Sequence, residues 1–353
     1  MQIDDFALER WFAAHEHDAD LMLAESGVRS LESGRFDTDP GELGYVIPTN
    51  GDPEIRERIA ARYDRDADEV LCTCGTQEAN FLAFHTLLEP DDHAVVVTPT
   101  YQSLRTIPET ICDVTTVELE PPTWELSVDA VSEAVRPETE LIVVNNPNNP
   151  TGRYHPRETL EALYDLASDA DAYLFCDEVY RKLAEQPHPP AASLGPRAIS
   201  TAGLSKAYGL AGLRFGWLVA DREVIDAAWN WKDYTTISPP TISQHVASQA
   251  LEREDEILAE NRAHAVDHRE RVREFVDRHD LEWYEPVGVN VFVTIPEGFE
   301  SGRAFCEAVL EEGVVLAPGE FFGHPDRFRI GFGLPTGELE TGLERIEGVL
   351  ESR

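Results

Sequence analysis

Residues 140–152 read ELIVVNNPNNPTG. Leu141 to Val144 form an unbroken run of apolar, strand-favouring side chains, as expected of a strand covered on both faces. The run stops abruptly on four asparagines and two prolines, so the strand ends in a polar turn. A strand with no solvated face needs helices on either side, and the neighbouring sequence supplies them. EVLCTC (69–74), HAVVVTP (93–99), DVTTVEL (113–119), AYLFCDEV (172–179), RAISTAG (197–203) and RFGWLVA (214–220) are strand-like. Amphipathic segments such as TQEANFLAFHTLL (76–88) and PRETLEALYDLASDA (156–170) lie between them. The alternation predicts an α/β fold with a mostly parallel central sheet in a large domain. Open sheets of that kind bind ligands beyond the carboxyl ends of their strands, so polar residues there are the ones to examine.

Beyond ISPPTIS (237–243) a charged helical pattern is expected to continue to about residue 279. Strands LEWYE (281–285) and VNVFVTI (289–295), helix SGRAFCEAVLEEG (301–313), strand FRIGFG (328–333) and helix GELETGLERIEGVL (337–350) follow. This reads as a smaller α+β domain over 246–353, with a large domain over 41–245 and an N-terminal segment, 1–40, packing with the small one.

The chain of 353 residues carries 67 acidic against 29 basic residues, a formal charge of −38, and only three of the basic residues are lysines. Such a surface repels itself in dilute buffer and is relieved at ~1 M salt, where the screening length falls to about 3 Å. The balance fits a halophilic, salt-rich cytoplasm and disfavours nucleic acid as a partner. Five cysteines, an acidic N-terminus without a secretory pattern and no long apolar run point to a reduced cytoplasmic protein with no membrane association. Cys72 and Cys74 lack a second ligand pair, so structural thiols and no metal are expected.

Four segments carry chemistry. In LCTCGTQEANF (71–81), Gly75 and Thr76 join a strand to a helix; this is either an ordinary turn or an anion site built from free helix N-terminal amides. The asparagines at 145–149 are either turn material or a set of amides for a polar ligand. Asp177, after the apolar YLFC, either caps the next helix or meets a cation such as a protonated ring nitrogen, with Tyr180 nearby. In TAGLSKAYGLAGLRFGW (201–217), Lys206 sits among small residues without sequence-local carboxylates. It is either a snorkelling surface lysine or an amine whose pKa desolvation lowers, suited to forming a Schiff base with an aldehyde. Arg214 offers a planar fork for phosphate.

NNPNNPTG, DEVY and SKAYGLAGLRFGW in this order resemble the aspartate aminotransferase superfamily, the class I/II aminotransferases of pyridoxal phosphate (PLP) fold type I. The resemblance runs from GYVIPTNGDPEIRERIA (44–60) to FRIGFG. It implies that Lys206 holds pyridoxal 5'-phosphate as a Schiff base and, when freed, moves the substrate α-proton. Asp177 would keep the ring nitrogen protonated, Asn149 and Tyr180 would bond the phenolic oxygen, and Tyr101 would stack on the ring. Gly75, Thr76, Gln77, Ser205 and Arg214 would hold the phosphate. Tyr45 would reach the phosphate of a neighbouring subunit, which implies a homodimer with shared sites. Arg329 would grip the α-carboxylate, with Asn149 and Gly27 also beside the substrate. One departure is Gly203, where relatives frequently carry a phosphate-binding serine; Ser200 or Thr201 are the candidates to replace its hydroxyl. The implied activity is amino transfer between an α-amino acid and a 2-oxo acid. The alternatives are a lyase, replacement or cyclising enzyme of the same fold, as in capreomycidine synthase, or a non-catalytic PLP-binding protein. Lys232 or Asp233, in WKDYTTIS (231–238), is a candidate reader of the substrate side chain.

The charge balance predicts that the thermal midpoint rises by several degrees between 0.1 M and 2 M KCl, as followed by circular dichroism. A midpoint that is flat or falling over that range would show that the acidic surface is not salt-adapted.

Overall fold

A computed structural model describes residues 3–352. Its central sheet has seven strands, in the order Val70–Thr73, Gly216–Val219, Ala198–Gly203, Tyr173–Asp177, Thr139–Asn145, His93–Thr98 and Asp113–Glu118. Only Gly216–Val219 runs against its neighbours; the other pairings are parallel. Helices Thr76–Leu87, Gln102–Ile111, Val128–Ala134 and Arg157–Asp169 make the crossovers that parallel strands require. Two apolar clusters form on the sheet, one including Ala79, Leu82, Val96, Val143 and Ile199, the other including Val95, Val97, Ile142, Val144 and Leu174. Alternate residues of single strands thus serve opposite layers.

The parallel strands all point one way, so Thr73, Thr98, Asn145, Asp177 and Gly203 end on one edge. Asn145 lies opposite Asp177, and Asp177 opposite Thr201. Each segment singled out in the sequence follows directly from one of these ends.

A three-stranded antiparallel sheet, Ala317–Pro318, Arg327–Gly331 and Asn290–Thr294, forms the second layer system with helices Gly302–Glu311 and Thr336–Glu351. The expected continuous helix to residue 279 is instead two, Thr241–Glu252 and Glu254–Arg278. They break at Arg253, whose backbone (φ −102, ψ 22) leaves the helical path while its guanidinium donates to Arg35 O and Glu256. LEWYE is not a strand. Only Trp283 bridges to Val293, because Pro286 lacks an N–H and the chain turns away so that Val287 N donates to Gly152 O.

The N-terminal helix Ala7–His15 is fastened by Trp11 Nε1, which donates to Leu316 O at 2.8 Å, and Leu21–Met22 pairs in parallel with Val314–Val315. From there the chain crosses the face of FRIGFG. Gly331 N donates to Leu23 O and Arg29 N to Gly333 O, and the two main chains lie nearly in contact. A Cβ at Gly331 would sit 1.8 Å from Glu25 O, and one at Gly333 2.0 Å from Gly27 O. The glycines of IGFG are therefore a requirement of close approach, and they fix the path of residues 24–28.

Gly331→Ala should displace that path and cost about 1–3 kcal/mol of stability, the usual range for forced overpacking. Urea unfolding that matched the parent protein would show that segment 24–28 yields freely.

Candidate active site

The strand ends open into a cavity of about 820 Å³. Thr76, Gln77, Tyr101, Asn149, Asp177, Tyr180, Ser205, Lys206, Arg214 and Arg329 all line it. These side chains come from positions spread over more than two hundred residues, gathered because their strands share one edge.

At one end lies the turn into helix Thr76–Leu87. Gly75 takes φ +85, a conformation open to glycine, and no side chain caps the helix. Its first amides are thus free for an anion, and the buried Thr76 hydroxyl has no partner. Arg214, itself at φ +49, lies over the turn: a Cβ on Gly75 would come within 2.5 Å of Nη2. Arg214 Nη1 also donates to Ser205 Oγ at 3.3 Å. Behind the turn, a Cβ at Gly203 would meet Thr76 Oγ1 at 2.6 Å and Phe215 O at 2.8 Å. This explains the departure seen in the sequence, because a serine has no room there. Ser200 and Thr201 do not replace it. Ser200 Oγ accepts from Ala192 N, Thr201 Oγ1 donates to Asn80 Oδ1, and both residues are fully buried away from the cavity.

Asp177 stands at the centre. Asn80 Nδ2 donates to Oδ2 at 2.9 Å and Val179 N to Oδ1 at 3.1 Å. Burial nevertheless pushes its carboxyl up to about 6. Two neutral donors do not replace water around a buried anion, so this carboxylate has capacity for a cationic partner. Tyr180 OH donates to Ser26 Oγ at 2.8 Å, and Tyr101 OH to Glu9 Oε1 at 2.6 Å. The Gln77 side chain accepts from Ser103 Oγ at 2.9 Å.

At the far end Arg329, 1% exposed, donates to Asn149 Oδ1 at 2.8 Å and Ala24 O at 2.6 Å, while its Nε has no partner. Asn149 is braced in turn by its own N–H on Asn145 Oδ1. A buried guanidinium with donors to spare is suited to a carboxylate.

Lys206 differs from the sequence expectation. Burial depresses its ammonium, but Glu25, with Oε1 2.7 Å from Nζ, outweighs that and the net shift is upward. The same contact holds the Glu25 carboxyl below its ordinary range. Sequence proximity could not reveal this carboxylate, which is 181 positions away. Gly27 lies under the lysine stem; a Cβ there would be 3.3 Å from Lys206 Cδ.

Three expected participants lie elsewhere. Tyr45 is 71% exposed and does not border the cavity of its own chain. Lys232 is fully buried, paired with Glu78 at 3.2 Å and bonded to Thr236, and Asp233 is exposed outside the cavity. Neither is placed to read a side chain in this chain's cavity. Glu9, Glu25, Ser26 and Asn80 were missed. Only Asn80 left a trace, as an amide four residues after Thr76 on the same helix face.

The donor set fits a phosphorylated pyridine aldehyde: an anion site with an unpaired hydroxyl, a buried carboxylate with no cation bonded to it, and an amine lining the same cavity. Among the described residues no cluster of side chains could hold a metal ion, and no helix is long and apolar enough to cross a membrane.

A family model described as aminotransferase class I and II matches residues 28–346. The chain is 33% identical to capreomycidine synthase of Streptomyces vinaceus, over 96% of this chain and 92% of that one. It is 31% identical to an aspartate aminotransferase of Thermotoga maritima, over 94% and 88%. A crystal structure of a PLP-dependent aminotransferase from Streptococcus suis superposes with a TM-score of 0.94 at 30% identity, covering 100% of this chain and 99% of the other.

Without a bound cation, Asp177 has a folded pKa near 6, above its ordinary 3.8, so it favours folding at low pH and loses that contribution as pH rises through 6. Asp177→Asn should therefore stabilise the cofactor-free protein at pH 8, by up to about 3 kcal/mol, with the gain vanishing below about pH 4. A pH-independent difference between the two proteins would show that Asp177 is not held in a desolvated state.

Proposed function

The chain belongs to the class I and II aminotransferases, and from that premise we propose which of its residues do the work. It is a PLP-dependent transaminase that moves an amino group between an α-amino acid and a 2-oxo acid. The observation that carries the residue assignment is the convergence of Lys206, Asp177, Arg329 and an uncapped helix N-terminus on one cavity.

When bound, the cofactor supplies an aldehyde that captures amines and a ring that draws electrons from the substrate α-carbon. Gly75, the amides of Thr76 and Gln77, the Thr76 hydroxyl, Ser205 and Arg214 would hold its phosphate. Asp177 would keep a proton on the ring nitrogen, the cationic partner its buried carboxylate lacks. Tyr101 would pack on the ring, and Asn149 and Tyr180 would hydrogen-bond its oxygen. Arg329, assisted by Asn149, fixes the α-carboxylate, with Gly27 giving room beside it. Lys206 Nζ takes the α-proton and returns it, which requires the neutral amine and so requires release from Glu25. Phe6, just before the N-terminal helix, packs against Tyr101 and with that helix helps exclude water.

Elimination, replacement or cyclisation is the second reading, kept by the likeness to capreomycidine synthase. It uses the same residues up to proton removal, and nothing lining the cavity favours it over transamination. We also propose a cytoplasmic homodimer of a halophile in which Tyr45 meets the partner's phosphate. Supporting it, Leu43, Tyr45 and Ile47 are all more than 70% exposed, an apolar run suited to a covering subunit. The domain division at residues 40 and 245 remains our proposal; Met1, Gln2 and Arg353 at its ends lie outside the described residues.

Holoenzyme in high salt, mixed with single amino acids, should convert its cofactor to the amine form with release of one 2-oxo acid per site. Ammonia or a cyclised product with the cofactor regenerated would instead establish the second reading. Lys206→Ala should lose the borohydride-reducible bond between chain and cofactor, seen by mass spectrometry. A retained adduct elsewhere would show that another amine carries it.

A further inference from the structure

Transamination as set out above gives Glu25 no task. Its stretch of main chain is closely held, with Gly331 against its carbonyl, Ala24 O accepting from Arg329 and Ser26 Oγ accepting from Tyr180. About half of its side-chain surface (49%) is open, and Glu25 lines the cavity. The carboxylate already grips an ammonium in this structure, Lys206 Nζ at 2.7 Å. While that amine is bound to the cofactor, Glu25 keeps its charge and loses this partner. Arg329 also holds the Glu25 carboxyl down by its charge, but its guanidinium is hydrogen-bonded to Asn149 and Ala24 O and does not close on Glu25. A carboxylate held at the cavity wall, half open to it and with no cation against it, attracts an incoming cation of matching reach.

Two further features bear on which cation arrives. Glu9, bonded to Tyr101 OH, and Glu16 add carboxylates to the same cavity from the N-terminal segment, while Arg10 borders it as an exposed residue. A second cleft of about 600 Å³ also includes Glu25 and Leu334, so space continues past the carboxylate. Arg29 and Arg35 also line that second cleft, so a long cationic side chain would stop at Glu25 and not pass beyond it.

Resting on the transaminase reading, we propose that Glu25 is the specificity residue for the substrate side chain and that it selects α-amino acids ending in an ammonium or guanidinium. The cation occupies the position that Lys206 vacates. Substrates ending in a carboxylate are repelled from the same position, and neutral ones leave Glu25 unpaired.

The test uses holoenzyme in high salt and isosteric pairs: L-arginine against L-citrulline, L-lysine against L-norleucine, with L-glutamate as the anion. Stopped-flow absorbance of the cofactor should give kcat/KM at least about tenfold higher for the cationic member of one pair, and Glu25→Gln should bring that pair within about threefold. In the cofactor-free protein the same substitution should increase labelling of Lys206 by an amine reagent at pH 8, since the carboxylate no longer holds the proton. The wild-type pairs decide the matter even if the variant fails to fold. Equal rates within both pairs, a preference for glutamate through Arg10, an unchanged preference in Glu25→Gln, or unchanged labelling would each overturn the proposal. Reaction with neutral or acidic amino acids alone would refute it while leaving transamination intact; no reaction with any amino acid would refute both.

Discussion

The cavity depends on a carboxylate buried at the end of a strand. Asp177 lies between Asn145 and Thr201 in the sheet and is reached from the next layer by Asn80, which Thr201 itself orients. Three strands and one helix are therefore registered against a single charge. A slip of one residue in any of these strands would turn the carboxylate or its support into the apolar layers. The chain accepts an unfavourable ionisation to keep it there, and that strain is relieved when a cation occupies the cavity.

The fixed parts of the site come from two different kinds of support. Asp177, Asn149 and the Gly75 turn are delivered by the ends of parallel strands, whose directions are set by the sheet. Arg329, Glu25 and Gly27 are delivered by close backbone contact, in which glycines at 331 and 333 let one chain lie on another. Lys206 stands where the two meet, since Val28 N donates to Lys206 O. Chemistry at the lysine is thus registered to both supports at once.

Much of this was legible in the sequence because strand ends announce themselves: apolar runs stopping at Gly75, Asn145, Asp177 and Gly203 gave both the sheet and the residues that border the cavity. Partnerships across long separations were not legible. Glu25 belongs to a short segment with no periodic pattern, and only the path imposed by Gly331 and Gly333 brings it to Lys206. Lys232 misled for the opposite reason. A charged residue in WKDYTTIS offers itself as a reader of the substrate side chain, yet Glu78 draws it wholly inside. LEWYE has the composition of a strand, but Pro286 and the pull toward Gly152 prevent a ladder from forming.

The replacement of lysine by arginine reaches beyond surface charge. An aldehyde cofactor reacts with any accessible primary amine, and an ordinary protein offers it many decoys. Here every lysine is already in an ion pair: Lys182 with Glu254, Lys206 with Glu25 and Lys232 with Glu78. Lys232 is sealed from solvent, and of the other two only Lys206 has an anion site in the same cavity. Arginine forms no comparable imine, so a surface built on guanidinium groups leaves the aldehyde almost one address on the side chains of the whole molecule.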